Sequence, residues 1–422
     1  MLKKQLIAVL FWVLVIYAGS SQAAASFIPA ANRSDMVYDF RRNQIYIADG
    51  NQVLRYAVGS NRLLSAIPLG SDAQSTGIDI SRDGSTLAVA DLTSTSAQAW
   101  VHLINLGTLV DHKTSFDKGG YDSGTWSVAF TADNHLLVSS EFNGSGWVPL
   151  RRLDLSSGQW VSLGDVRHQT MLAPSTDRNT IAFAEADISD GRWGLYDVPT
   201  GQLVRREWYE DGTSAFNFEI ATDALGGQFA IPVYAGMYVY DATYQKIISI
   251  ASNDHGPLGV AYHPVQHLIY YPWSGTRQMR VYSSNLGRLV AWYDMGDVFS
   301  SQTNRAYIGG RTKLSVDGSL LMVTAPGGVR YLRMYAPLTA QRVSATVATA
   351  VRTKIGMKGA IGNHGPLSYQ LWGSPRHGRV TVSGSTAYYT SAAGYKGTDS
   401  FRYMVRYGAA AYAVGTVAVN VK

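Results

Sequence analysis

The sequence predicts an all-β protein in two parts: a closed ring of seven four-stranded sheets, then a small β-sandwich. Three observations predict it. A hairpin signature recurs seven times from Phe40 onward. Glycine (42) and tyrosine (26) are abundant among 422 residues, without long helical periodicity, which is a composition of strands and tight turns. After Pro337 the hairpin signature stops and a small, β-branched texture begins.

Before the ring comes "MLKKQLIAVLFWVLVIYAGSSQAAAS". Lys3 and Lys4 form a positive start, and Leu6 to Ala18 is an apolar stretch too short for a comfortable membrane span. "SSQAAA" supplies small residues for cleavage. Residues 1–25 therefore read as a secretory signal peptide. The mature chain is expected to be exported, periplasmic or at the cell surface, and not an integral membrane protein. Export also argues against nucleic acid as the working partner.

The clearest hairpins are "ISRDGSTLAVAD" from Ile80 and "LSVDGSLLMVTA" from Leu314. Each is an apolar strand end, a polar turn with Asp-Gly, and a second apolar strand. Asp-Gly suits the turn because both residues tolerate positive φ. The other copies are "FRRNQIYIAD", "FTADNHLLVSS", "PSTDRNTIAFAE", "ATDALGGQFAIPV" and "YHPVQHLIYYP". Their turns fall near Arg42, Asp83, Asp133, Asp177, Gly226, Val265 and Asp317, spaced 39 to 52 residues apart. A third strand follows each copy, as in "QVLRYAV" and "GMYVYDA", and then a fourth, as in "RLVAWYDM". Four short strands at this period are the signature of a β-propeller blade. The seventh copy has three strands before "YAPLTAQ". Its outer strand is expected from Ser26 to Ala30, which would close the ring and remove a free edge. The pattern resembles bacterial seven-bladed propellers of the YVTN-repeat type over residues 26–337.

Residues 338–422 form the second part. "SPRHGRVTVSGSTAYYTSAAGYKGTDSFRYMVRYG", from Ser374, resembles a bacterial immunoglobulin-like or cadherin-like module of surface proteins. The match runs through Pro375, Gly378, Tyr389, Thr390 and "GYKGTDSF" to Tyr403 and Val405. Two positions depart from the pattern. Ser391 replaces a proline, and "AIGNHGPLSY" carries no carboxylate where the family has an acidic calcium-type loop. Calcium prefers carboxylate oxygens, so no calcium site is carried over. Asp399 is expected to accept backbone N–H groups, and Phe401 and Tyr403 to point into the sandwich core.

The chain has no cysteine, which excludes disulfides, thiolate metal sites and cysteine nucleophiles. Formal charge falls from +6 to +4 without Lys3 and Lys4 (34 Lys+Arg against 30 Asp+Glu), a weak pull toward anionic partners. No GxSxG, HExxH, P-loop or dinucleotide fingerprint occurs. Function is therefore sought on the loops that enter each inner strand and join the second strand to the third. They carry Asp72, Asp122, Trp126, Glu141, Trp147, Trp193, Asp211, Asp254, His255, Trp273, Arg277 and Arg305. Loops on a rigid scaffold are where binding usually sits. The leading expectation is an exported, non-enzymatic, adhesion-type protein presenting this face to a glycan or protein, with no cofactor. The competing reading, implied by the propeller resemblance, is a lactonase- or lyase-like enzyme with a divalent metal in the channel. Glu141, Asn217 and Asp254 are its candidate residues. A structural subunit of an envelope assembly is the third reading.

Two further features concern side chains outside the loops. Asp39, Asp79 and Lys313 hold equivalent inner-strand positions and are expected to form a buried charged cluster, chiefly structural. "HPVQH" spans a hairpin, so His263 and His267 are expected to serve the turn rather than a metal.

Overall fold

The computed structural model describes residues 25–144, 146–185, 192–206, 219–233, 236–251, 258–300, 309–334, 339–360, 367–407 and 411–422. The signal-peptide reading of residues 1–25 falls, apart from Ala25, outside them. The described residues are all-β. Among the described residues, seven four-stranded antiparallel sheets precede residue 335, six of them meanders of consecutive strands. Their inner strands are Arg33–Asp39, Ser75–Ile80, Asp122–Phe130, Met171–Pro174, Ala221–Thr222, Ala261–Tyr262 and Thr312–Leu314. Each lies beside the next, and the seventh lies beside the first, so the sheets form a closed circle.

The core is correspondingly divided into seven apolar layers, each shared by two neighbouring sheets. Ile67, Ile78 and Leu87 join the first and second sheets. Phe183, Tyr196 and Leu137 join the third and fourth. Ile28, Met36, Ile45 and Met322 close the circle between the first and seventh. Alternating side chains let each central sheet bury both faces.

The seventh sheet is completed as the sequence suggests. Ser26–Pro29 pairs antiparallel with Gly328–Tyr331 and becomes its outer strand. Gly328 is required here, because a Cβ would stand 2.2 Å from the Ile28 carbonyl oxygen.

The Asp-centred hairpin turns share one chemistry. Asp83, Asp177 and Asp317 each accept from the hydroxyl two residues before and the backbone N–H two residues after. The residue after the Asp adopts positive φ: Gly84 at 68°, Asn134 at 66°, Arg178 at 63° and Gly318 at 71°. Glycine and asparagine suit that conformation; arginine is an exception that something must hold.

The C-terminal part has a four-stranded sheet, Val343–Val347, Ala411–Val421, Gly397–Tyr407 and Ser368–Gly373, facing a three-stranded one. The three are Thr353–Gly356, Thr386–Ser391 and Gly378–Ser383. Phe401, Tyr403 and Tyr389 lie in its core. The Asp399 carboxylate accepts from Arg376 N, His377 N and Tyr389 Oη at 2.8–3.0 Å, the turn-holding role expected of it.

Candidate functional site

The inner strands surround an axial cavity of about 160 Å³. Its charged groups form two networks. In the first, the Arg311 guanidinium donates from Nε to Asp35 Oδ1 and from Nη1 to Glu219 Oε2, both at 2.5 Å. Lys313 Nζ donates to Asp35 Oδ2 at 2.8 Å and to the Ile78 carbonyl at 3.1 Å. This ties the first, second, fifth and seventh sheets across the axis. In the second, Arg178 donates to both oxygens of Asp79, at 2.6 and 3.0 Å, and to the carbonyls of Phe130 and Ile80. Four hydrogen bonds thus hold Arg178 in its unfavourable backbone conformation and pin three sheets together.

Burial works against ionisation of Asp35, but the adjacent Arg311 and Lys313 charges outweigh it and hold the carboxyl below its ordinary value. Glu219 goes the other way. Burial, aided by the Asp35 charge and opposed by Arg311, pushes it up to about 7. Burial lowers Lys313 despite Asp35.

The expected Asp39–Lys313–Asp79 cluster does not form. Lys313 reaches Asp35, Asp79 takes Arg178, and Asp39 pairs with Arg42 at 2.6 Å. Asp35 lies within the first inner strand and is buried. Equivalent positions in a repeat fix which face a side chain takes, not which neighbour is long enough to reach it.

The loop-face candidates separate into three groups. Asp122, Trp126 and Trp193 belong to the interior. Asp122 is ion-paired to Arg151, and burial raises its carboxyl even so. Trp126 is 6% exposed, and Trp193 is 1% exposed, packed on Phe229, Tyr240 and Tyr244. Trp273 is half-buried under the Arg280 guanidinium, 3.6 Å from its ring centre. The second group is accessible. Asp72 is exposed, Arg277 pairs with Asp294 at 2.7 Å on the surface, and Trp147 is 38% exposed. Arg167 and Arg192 lie over the Trp147 ring at 4.6 and 5.4 Å. Tyr121, 70% exposed, stacks on Phe142 at 5.4 Å. Glu141 is partly exposed and accepts from Gln169 Nε2 at 2.9 Å, with His168 Nδ1 at 3.7 Å. The third group, Asp211, Asp254, His255 and Arg305, lies outside the described residues, as does Asn217. Among the described residues no three His, Asp or Glu side chains are arranged to hold a metal ion.

Several acids in or just after the second strands have a local partner. Asp49 accepts from Asn32 N at 2.7 Å, Asp91 from Gln74 N at 2.9 Å, and Glu185 from Arg167 N at 3.3 Å. Each bond clips the loop leading into that sheet's own inner strand. His263 likewise serves its turn. Its Nδ1 accepts from Val265 N and Gln266 N at 3.1 and 3.0 Å, and burial lowers it to about 4.

The second sheet holds a feature the sequence did not reveal. His102 is fully buried, with Nε2 3.2 Å from Asp91 Oδ2 and Nδ1 2.6 Å from Asp111 Oδ2. Both ring nitrogens face carboxylates, which suits the imidazolium. Burial opposes that charge, but Asp111 and Asp91 outweigh burial and raise the pKa. A raised folded-state value stabilises fully below the unfolded value of about 6.5, and that stabilisation is lost as pH rises through the folded one. Urea unfolding should show stability falling over that interval, and His102→Gln should reduce the fall, leaving the part that Glu219 contributes near pH 7. A wild-type curve flat above pH 6.5 would refute the assignment.

Among the described residues no helix is long and apolar enough to cross a membrane. No curated protein sequence matches the chain. A structure titled "Crystal Structure of Mitotic Checkpoint Complex" superposes over 79% of this chain and 98% of its own, at 13% identity and a TM-score of 0.55. Hydrazine synthase of Kuenenia stuttgartiensis superposes over 75% of this chain and 100% of its own, at 14% identity and a TM-score of 0.56. Identities this low speak to fold alone. Residues 335–420 match the family described as bacterial Ig domain. The chain is thus similar to propeller-like proteins in its repeated four-stranded sheets and carries a bacterial immunoglobulin-like domain at its C-terminal end.

Proposed function

We propose that the chain is an exported, non-enzymatic binding protein of adhesion type, at the cell surface or in the periplasm. In this reading residues 1–25 are a signal peptide, 26–337 a seven-bladed propeller of YVTN type, and 338–422 a sandwich serving as spacer or docking module. The observation that carries it is a contrast within the ring. The axial carboxylates Asp35, Asp79 and Glu219 are bound to arginines, while Tyr121 and Trp147 stand exposed on the loop face. Exposed aromatic rings beside arginines are recurrent anchors of recognition surfaces. A bacterial immunoglobulin-like domain fits an envelope protein.

The test is capture of envelope proteins and glycans by the mature chain, repeated with Tyr121→Ala/Trp147→Ala. The double variant is expected to weaken binding at least tenfold with an unchanged melting curve. Turnover of a substrate by the pure protein, without any retained partner, would overturn the reading.

A further inference from the structure

We propose that the groove between the outer strands of the second and third sheets binds a neutral saccharide. The groove has a volume of about 420 Å³, within the ~300–1,000 Å³ of small-molecule sites. Its walls are strands Gln98–Asn105 and Val110–Asp117 on one side and Trp160–Arg167 on the other. It lies apart from the axial cavity and from the loop-face aromatics, and shares no lining residue with either.

Its floor is aromatic. The Phe116 and Trp160 rings meet at 4.8 Å with a 58° tilt, and Phe116 is buried. Its rim is polar and exposed: Gln98, Asp117, Gln159 and Ser162. Gln98 Nε2 and Asp117 Oδ1 are 3.4 Å apart, a long contact that leaves both available to a ligand. The Trp160 indole N–H is buried with no partner among the described residues. A buried donor left unsatisfied costs about 1–3 kcal/mol, so a ligand or water oxygen that reached it would be stabilising.

These groups select a ligand class. The glutamine amides and the serine hydroxyl both donate and accept, the carboxylate accepts, and the indole donates. Hydroxyl groups are the ligand groups that both donate and accept. The half-buried Trp160 offers an apolar face for the C–H side of a sugar ring. Arg151 borders the groove but is ion-paired to Asp122. Asp117 is the other charged residue bordering the groove, and its carboxylate disfavours anionic ligands. Gln159 is presented by a fixed turn, in which Asp154 accepts from Ser156 N at 2.8 Å and Gly158 takes φ 73°.

This inference stands independently of the loop-face reading. The test titrates the mature chain with maltotriose, cellotriose and N,N′,N″-triacetylchitotriose as neutral probes, and sialyllactose as an acidic one, by calorimetry. At least one neutral probe is expected to bind and sialyllactose not to. Gln98→Ala/Gln159→Ala should weaken binding at least tenfold without lowering the melting temperature. Trp160→Phe, which keeps a ring and removes the N–H, should weaken it severalfold. Tyr121→Ala/Trp147→Ala should leave it unchanged. Binding of no neutral probe overturns the inference, as does binding that survives Gln98→Ala/Gln159→Ala. If loop-face substitutions abolish sugar binding instead, the loop-face reading is upheld and this one fails.

Discussion

Replacing Arg311 with methionine is expected to cost the ring about 3–5 kcal/mol, the cost of removing one partner from a buried ion pair. Arg311 is the shared partner of Asp35 and Glu219, and its side chain is almost wholly enclosed. Without it two carboxylates face each other in the cavity. Lys313 can still neutralise Asp35, but among the described contacts Glu219 loses its hydrogen-bonded partner. Glu219 already sits at about 7 with Arg311 in place, so in the variant it should take up a proton. The variant should therefore regain stability as pH falls, since the folded state would bind protons more tightly than the unfolded one. Adding Glu219→Gln should recover part of the loss at neutral pH. Urea unfolding of the single and double variants measures all three effects. A loss under about 1 kcal/mol would mean that the network is not the buried ion-pair system described.

Removing Ser26–Ala30 should have an effect of similar size and a different character. Ile28 is completely buried between the first and seventh sheets. Its side chain alone is worth about 2–5 kcal/mol by the measure of large-to-alanine substitutions. The deletion also strips the pairing from Gly328–Tyr331, exposing a sheet edge that invites association with other chains. The expected result is a sharply lower melting temperature accompanied by concentration-dependent oligomers in gel filtration. Ile28→Ala should lower the melting temperature without producing the oligomers. An unchanged melting curve for the deletion would show that the closing strand does not hold the ring.

The ring was legible because its code is local. Asp83-Gly84 and Asp317-Gly318 announce hairpins through turn chemistry that depends on adjacent residues, and the interval between them announces repetition. The closing strand was legible by counting, since the seventh repeat lacked its fourth strand. The site was far less legible. Trp126 and Trp193 look like loop residues because they stand near loop positions, yet a shift of one residue along a strand turns a side chain from solvent into the core. Arg178 shows the reverse error. It occupies the turn position held by Gly84, Asn134 and Gly318 in the second, third and seventh hairpins, and that mismatch was the available signal of a special role. His102 gave none. Its carboxylates come from Asp91 and Asp111, 11 and 9 residues away, on two flanking strands. The groove at Gln98 and Gln159 joins residues of two different repeats, which no single-repeat pattern can display.

The carboxylate clips at Asp49, Asp91 and Glu185 separate the ring's durability from the variety of its loops. Each clip fixes the point where a loop re-enters its sheet, so the residues beyond that point bear little of the ring's strain. Lengthening such a loop costs only about 0.6 kcal/mol per doubling. The loop tips can therefore be exchanged, as in a grafting experiment, or diverge over generations, while the sheets below keep their register.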